Sequence, residues 1–368
     1  MQDMFRFADE LGPEKIVLIH QPALGLKAIV VVDNTAAGPA IGGTRMALDV
    51  SVEECVRLAR AMTLKNAAAG LAHGGAKSVI VGDPAMPLGQ KEQFIRAFAT
   101  AIRNLDEYIP GPDMGTDEQA MAWVKDEIGR AVGLPRVIGG IPLDEIGATG
   151  FGLAVAAEAA QELGGPALEG ARVAVQGFGA VGQHAARFLA KKGAVLVAAS
   201  DSHGTIADPN GLDIDALIGL KRDGMGVQAY GRGKKLGRDD IVAVPCDIWI
   251  PAARPDVLRA DNVERLDARL VLQGANIPAT PEAERWLHES GILSIPDFIA
   301  NAGGVICASV EYHGGSEKAA FETIAEKIGT NTREVLRVAR VERILPREAA
   351  KRLAYARVRA AMALRRWH

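Results

Sequence analysis

The chain has 368 residues, 48% of them hydrophobic and 24% charged, which is enough apolar material for two separate cores and excludes a disordered chain. A formal net charge of -3 gives no electrostatic reason to expect nucleic acid or an anionic membrane, so a small molecule is the expected partner. The three cysteines, Cys55, Cys246 and Cys307, match no metal-ligand or redox spacing, no leader or membrane-length apolar run is apparent, and the expectation is a cytoplasmic protein without a metal.

In chain order, residues 26–32 form a short β-rich run, and Val52, Cys55, Val56, Ala59, Met62 and Thr63 trace one helical face. Lys65 and Lys77 follow in almost charge-free sequence. A lysine beside a second cation in apolar, glycine-rich surroundings has its ammonium disfavoured and is suited to act as a base. A pair of snorkelling surface lysines is the plain alternative, and the apolar runs at 67–71 and 78–81 favour burial. His73 between them reads as a packing or helix-end residue. Gly111-Pro-Asp113-Met-Gly115-Thr116 places a carboxylate in a Gly/Pro-flanked loop, where Asp113 serves chemistry or, equally, caps a helix starting near Thr116. Residues 133–149 carry Gly and Pro and read as a connection.

Residues 171–176 read as a buried strand, followed by the glycine turn Gly177-Phe-Gly179-Ala-Val-Gly182, helical spacing over 184–190, and a second strand over 194–199 that closes with Asp201. Strand, glycine turn, helix and strand imply a parallel sheet with a right-handed crossover. Residues 248–250 and 270–272 are its natural later strands. Gly177 permits the tight turn, Gly179 lets backbone approach a pyrophosphate, and Gly182 lets the helix pack on the strand. A diphosphate then meets the helix N-terminus. Asp201 stands where a carboxylate accepts a ribose diol, which favours NAD. NADP stays open, since Ser202 and His203 could bond a phosphate were the Asp201 side chain turned away. Residues 331–368 hold eleven Arg or Lys against three Glu, with Ala350, Leu353, Ala354, Val358, Ala361 and Met362 on one stripe. A terminal helix docked on the body, or on a neighbouring subunit, is expected.

At this point the sequence resembles the glutamate/leucine/phenylalanine/valine dehydrogenase family over nearly its whole length. The segments that carry the resemblance are Gly38-Pro-Ala-Ile-Gly-Gly-Thr-Arg-Met46, residues 62–77, Pro112-Asp-Met-Gly-Thr116, Ala148-Thr-Gly-Phe-Gly152, the Gly177 turn, Asp208-Pro-Asn-Gly-Leu-Asp213, Gln273-Gly-Ala-Asn276 and Pro296-Asp-Phe-Ile-Ala-Asn-Ala-Gly-Gly304. The resemblance implies an α/β chain of two domains that oxidatively deaminates an L-α-amino acid to a 2-oxo acid and ammonium, in a cleft between a substrate domain and a Rossmann domain. The expected division is a substrate and oligomerisation domain over 1–135, an NAD-binding domain over 136–330, and a helical segment over 331–368 returning to the first. A homo-oligomer is expected.

By position, Lys77 resembles the lysine that activates water for attack on the imino carbon, and Asp113 the carboxylate that exchanges protons with the amino nitrogen. Lys65 resembles the residue that binds the substrate α-carboxylate, with Gly42 and Asn301 in segments that line the site. Thr149 resembles the residue holding the nicotinamide amide and Asn276 one near its ribose. Phe178, Ala180, Val181, Ser202 and Ala252 complete the expected dinucleotide residues. Glutamate-specific members carry a lysine at the position of Ile41 and a serine at that of Ala308. Isoleucine and alanine leave a side-chain carboxylate without a partner, so an apolar amino acid of the leucine, valine or phenylalanine type is expected. Glutamate dehydrogenase with a rearranged pocket and a non-catalytic regulatory relative are the alternatives.

Overall fold

The chain folds as two units in a computed structural model that describes residues 5–366. Among the described residues, the first gathers 5–143, 305–320 and 351–366, and the second 144–304 and 321–350.

The first unit contains strands β1 (Lys15–Gln21), β2 (Leu26–Asn34), β3 (Ala40–Ala47), β4 (Gly75–Val81) and β5 (Tyr108–Pro112), with helices α1 (Val52–Ala68), α2 (Leu88–Ala101) and α3 (Glu118–Ile128). The strands form one sheet in the order β1-β2-β4-β3-β5, antiparallel from β1 to β4 and parallel from β4 to β5. β2 is a continuous apolar run because both its faces are covered. On one face Cys55 and Ala59 of α1 pack on Val31 and Val79. On the other, Phe94, Ile95 and Phe98 of α2 and Met121 and Val124 of α3 pack over Val30, Val32 and Ile80. The Ser51 hydroxyl starts α1 by accepting the Glu54 N–H at 3.1 Å, a cap worth about 1 kcal/mol.

The second unit opens with helix α4 (Ala148–Gln161) and continues through β6 (Arg172–Gln176), α5 (Ala180–Ala190), β7 (Val195–Asp201), β8 (Gly204–Ala207), α6 (Ile214–Arg222), β9 (Lys234–Leu236), β10 (Ile248–Pro251), β11 (Leu270–Leu272), α7 (Pro281–Glu289), β12 (Leu293–Ile295) and α8 (Asp297–Ala300). Its sheet order is β12-β11-β10-β6-β7-β8-β9. The first five strands are parallel, and β8 and β9 add an antiparallel edge absent from the sequence reading. Trp249, fully buried on β10, centres the core on one face.

Helices α9 (Gly303–Tyr312), α10 (Glu317–Glu342) and α11 (Pro346–Met362) complete the chain. The first unit extends to 143 rather than 135, and Ile141, beyond the expected boundary, bonds through its backbone to Glu311 of the same unit. The Glu311 carboxylate accepts the N–H groups of Gly133 at 2.9 Å and Leu134 at 3.0 Å, and burial pushes that carboxyl above its ordinary value. The terminal helical segment also differs from the expected 331–368: α10 begins at 317, and 321–350 belongs to the second unit. Of the predicted stripe, Ala350, Ala354 and Val358 are buried, while Leu353, Ala361 and Met362 are half-buried. Among the described residues no helix is long and apolar enough to cross a membrane.

Candidate active site

Lys77 sits mid-strand on β4, between two sheet neighbours, which is why its side chain is only 5% exposed. A cation so buried needs a partner. Its Nζ donates to Asp113 Oδ2 at the end of the β5 segment. Asp113 Oδ1 accepts the Met114 N–H at 2.7 Å and Arg45 Nε at 3.1 Å, and Arg45 in turn pairs with Glu54 on α1. Burial opposes charge on Asp113, but the Lys77 ammonium, the Met114 N–H and the Arg45 guanidinium outweigh it and hold the carboxyl below its ordinary value. The helix-cap alternative fails for Asp113 because Asp117 caps α3, accepting the Ala120 N–H at 2.9 Å.

The turn bearing Asp113 is pinned from below. Thr116 Oγ1 accepts the Asp113 N–H at 3.0 Å and donates to Thr44 O at 2.7 Å. Buried hydroxyls of Thr44, Ser78 and Tyr108 join β3, β4 and β5, and the Tyr108 hydroxyl donates to Gly42 O at 3.2 Å. Above the ion pair lies Gly43. A Cβ there would stand 2.7 Å from Asp113 Oδ2 and 3.1 Å from Lys77 Nζ, so only glycine leaves that face of the pair open.

Lys65 occupies the last turn of α1 and is half-buried, less enclosed than the sequence suggested for a matched pair of buried lysines. Its neighbour Asn66 is fully buried, and Nδ2 donates to Gly74 O at 2.6 Å and Ile41 O at 3.4 Å, tying α1 to β3 and to the start of β4. Arg357 satisfies the free carbonyls at the same helix end, donating to Ala68 O at 2.7 Å. Ile41 and Ala308 come together in one buried cluster with Ile109 and Val132. His73 is buried against Tyr312 and His313 with Nδ1 2.9 Å from Pro39 O, and burial lowers its pKa. A cavity of about 510 Å³ beside it, lined by Asn34, Thr63 and Arg357 among others, contains none of Lys65, Lys77, Asp113 or Ile41.

In the second unit Gly177 has φ of +94°, and the N–H groups of Gly177 and Phe178 both donate to Ser200 O, at 3.0 and 2.7 Å. Gly179 is the N-cap of α5 and no side chain caps that helix, so the N–H groups of its first turn, at Ala180, Val181 and Gly182, are available to an anion. Ala252 N–H donates to Gln176 O at 2.7 Å, placing Ala252 beside the turn. This arrangement fits a dinucleotide diphosphate. Thr149 lies in the first turn of α4. Asn301 donates through Nδ2 to Asn276 Oδ1 at 3.1 Å and Gly274 O at 3.3 Å, and its buried Oδ1 is unpaired. Asp201 departs from the expected ribose acceptor. Oδ1 accepts the His203 N–H at 2.9 Å, and Oδ2 accepts Lys221 Nζ at 2.7 Å and the Val227 N–H at 2.9 Å, leaving the side chain 7% exposed.

Residues 139–366 match the description "Glutamate/Leucine/Phenylalanine/Valine dehydrogenase", and residues 13–130 match "Glu/Leu/Phe/Val dehydrogenase, dimerisation domain". The chain belongs to this family. It is an amino acid dehydrogenase, an oxidoreductase whose cofactor is a nicotinamide dinucleotide. It is 39% identical over 359 residues to a glutamate dehydrogenase of Aeropyrum pernix, covering 91% of this chain and 85% of that one. Among solved structures, the hetero-hexameric glutamate dehydrogenase of Thermus thermophilus, in its Leu-bound form, superposes with a TM-score of 0.86 at 29% identity, over 97% of this chain and 91% of that one. The L-tryptophan dehydrogenase of Nostoc punctiforme gives 0.75 at 26% identity, over 96% and 98%.

Residues of this dehydrogenase that sequence reasoning passed over are Gly43, Arg45, Asn66, Ile109 and Val132. Gly43 and Arg45 stood inside a quoted motif. Their signal was the tertiary neighbour Asp113, invisible until β3 and β5 were known to pair.

Proposed function

We propose that the dehydrogenase acts on L-α-amino acids with apolar side chains, of the leucine, valine, phenylalanine or tryptophan class, converting them reversibly to 2-oxo acids and ammonium. The observation that carries this reading is the buried cluster of Ile41, Ala308, Ile109 and Val132 in the first unit, which offers no charge to a side-chain carboxylate. The second reading, glutamate dehydrogenase, has the names of its relatives in its favour. The first unit then serves as the substrate and oligomerisation domain and the second holds the dinucleotide. A homo-oligomer accords with the dimerisation-domain match.

The dinucleotide, held by the glycine turn and the uncapped start of α5 with Thr149 and Asn276 nearby, supplies the hydride acceptor. Lys65 binds the substrate α-carboxylate. Asp113 takes a proton from the amino nitrogen, and Lys77 removes one from the water that attacks the imino carbon. Nζ and Oδ2 share a single hydrogen bond, so a proton passes between the two groups without rearrangement. Arg45 fixes the other carboxylate oxygen, and the open face at Gly43 is the side from which substrate reaches the pair.

The test is a panel of 2-oxo acids with ammonium and reduced cofactor, run on the native protein and on Ile41→Lys. The native protein should favour 4-methyl-2-oxopentanoate or an aromatic 2-oxo acid over 2-oxoglutarate. Ile41→Lys should move the ratio of kcat/KM at least ~10-fold toward 2-oxoglutarate. A native preference for 2-oxoglutarate establishes the glutamate reading instead.

A further inference from the structure

Gln273, Glu284, Asp297 and Arg347, separated in the chain, meet inside the second unit. Arg347, in the first turn of α11, donates through Nε to both Glu284 carboxylate oxygens at 2.7 Å and through Nη2 to Gln273 Oε1 at 2.7 Å, and its Nη1 stands 2.9 Å from Asp297 Oδ1. The side chains of Glu284 and Asp297 are 8% and 7% exposed, so their charges depend on the guanidinium between them.

What this cluster holds is the segment that follows β11, Gln273-Gly-Ala-Asn276-Ile277. At its start, Gln273 Oε1 accepts Arg347 and, at 3.3 Å, the Asp297 N–H. At its end, Ile277 has φ of +48°, a conformation that a β-branched residue rarely adopts and that persists only where its surroundings impose it. Ile277 is 51% exposed, so packing does not impose it. Hydrogen bonds do: its N–H donates to Asp297 Oδ2 at 2.8 Å, and its carbonyl accepts the Asp256 N–H at 2.9 Å. One guanidinium therefore grips both ends of the segment, the first through Gln273 and the second through Asp297. Between them stands Asn276, whose Oδ1 accepts Asn301 Nδ2 at 3.1 Å. Asn301 closes α8, the helix that Asp297 opens, and its N–H donates to Asp297 O at 2.7 Å.

We propose that Arg347 is a positioning residue for the dehydrogenase reaction. By clamping residues 273–277 at both ends it fixes Asn276 against Asn301 and so orients the nicotinamide half of the bound dinucleotide. The inference rests on the reading that places Asn276 near the nicotinamide ribose. Lysine cannot replace this clamp, because a single ammonium lacks the planar fork that reaches Glu284, Gln273 and Asp297 together.

The experiment titrates the full-length protein with NADH or NADPH, whichever the native protein binds more tightly, and with the adenosine diphosphate half of that molecule, read by its displacement of the dinucleotide. Arg347→Lys should weaken the whole dinucleotide at least fivefold and its adenosine half less than twofold. Asn276→Ala should show the same selectivity, and adding Arg347→Lys to it should cost less than a further twofold, because the clamp acts through Asn276. Asp297→Asn, which leaves Arg347 paired with Glu284, should give the same selective loss of at least threefold and supplies the test if Arg347→Lys does not fold; thermal melts check both. Equal weakening of the whole molecule and its half, a full additional loss in the Asn276→Ala background, or native-like binding by Arg347→Lys overturns the proposal. Native-like binding by Asn276→Ala overturns the placement of Asn276, and the proposal falls with it; a selective loss in Asn276→Ala without one in Arg347→Lys overturns the proposal alone.

Discussion

Two aspartates of this chain have almost the same set of partners and opposite prospects. Asp113 holds a lysine, an arginine and a backbone N–H. Asp201 holds a lysine and two backbone N–H groups. In both, burial opposes the charge and the partners outweigh it, leaving each carboxyl below its ordinary value. The difference lies in what covers them. Over Asp113 stands Gly43, whose missing side chain leaves one face of the ion pair open. Asp201 is folded under the turn that follows it. Under the proposed function, the pair with room beside it does chemistry and the one the chain closes over is a strut.

The largest effect that separates the two sites is on turnover. Lys77→Ala should lower kcat for oxidative deamination by about 10²- to 10⁴-fold, the usual worth of a positioned acid or base, while NADH still binds. Asp201→Asn should lower kcat at saturating cofactor by less than about tenfold, well below that range. Steady-state assays beside cofactor titration make the comparison. Comparable losses from the two variants would collapse the distinction.

Gly43→Ala sharpens the comparison by crowding the pair from its open face while leaving both charged groups in the chain. A methyl group that must displace Asp113 Oδ2 and Lys77 Nζ misplaces both, and kcat should fall about 100-fold. Circular dichroism melts check that the variant is folded. Turnover within threefold of native would mean that substrate reaches the pair from elsewhere.

How much of this was legible beforehand follows the range of the interactions. The β6-α5-β7 unit could be read because buried parallel strands are continuous apolar runs and the glycine turn between them is local. β3 and β4 escaped notice because Gly42-Gly43, Gly74-Gly75 and Lys77 interrupt any strand pattern, and the glycines are there for close packing and access. Arg45 was missed because Asp113 lies 68 residues further on. Asp201 was recognisable as an acid at the right place. Whether its oxygens were free depended on Lys221 and Val227, 20 and 26 residues away, and no local pattern reports that.

The smallest effect is on stability, and there the two aspartates should behave alike. Each carboxyl lies below the ordinary value of 3.8 in the folded protein, so each contributes stability that is fully present above that value and is lost as the pH falls through the folded pKa, the unfolded chain taking up its proton first. Replacing either by asparagine removes the charge from the acceptor of these hydrogen bonds, and hydrogen bonds to charged groups are worth roughly 1.5–3 kcal/mol each, so the melting temperature should fall by several degrees near neutral pH. The gap between native protein and variant should stay level down to about pH 5 and narrow below about pH 4 for Asp113→Asn and Asp201→Asn alike. Melting curves across that range check it. A gap that widened with acid would reverse the sign and mean that burial, not the partners, controls the carboxyl. Parallel narrowing beside divergent turnover would locate the functional difference in access to the ion pair, since the electrostatic stabilisation of the two aspartates would then be the same in kind.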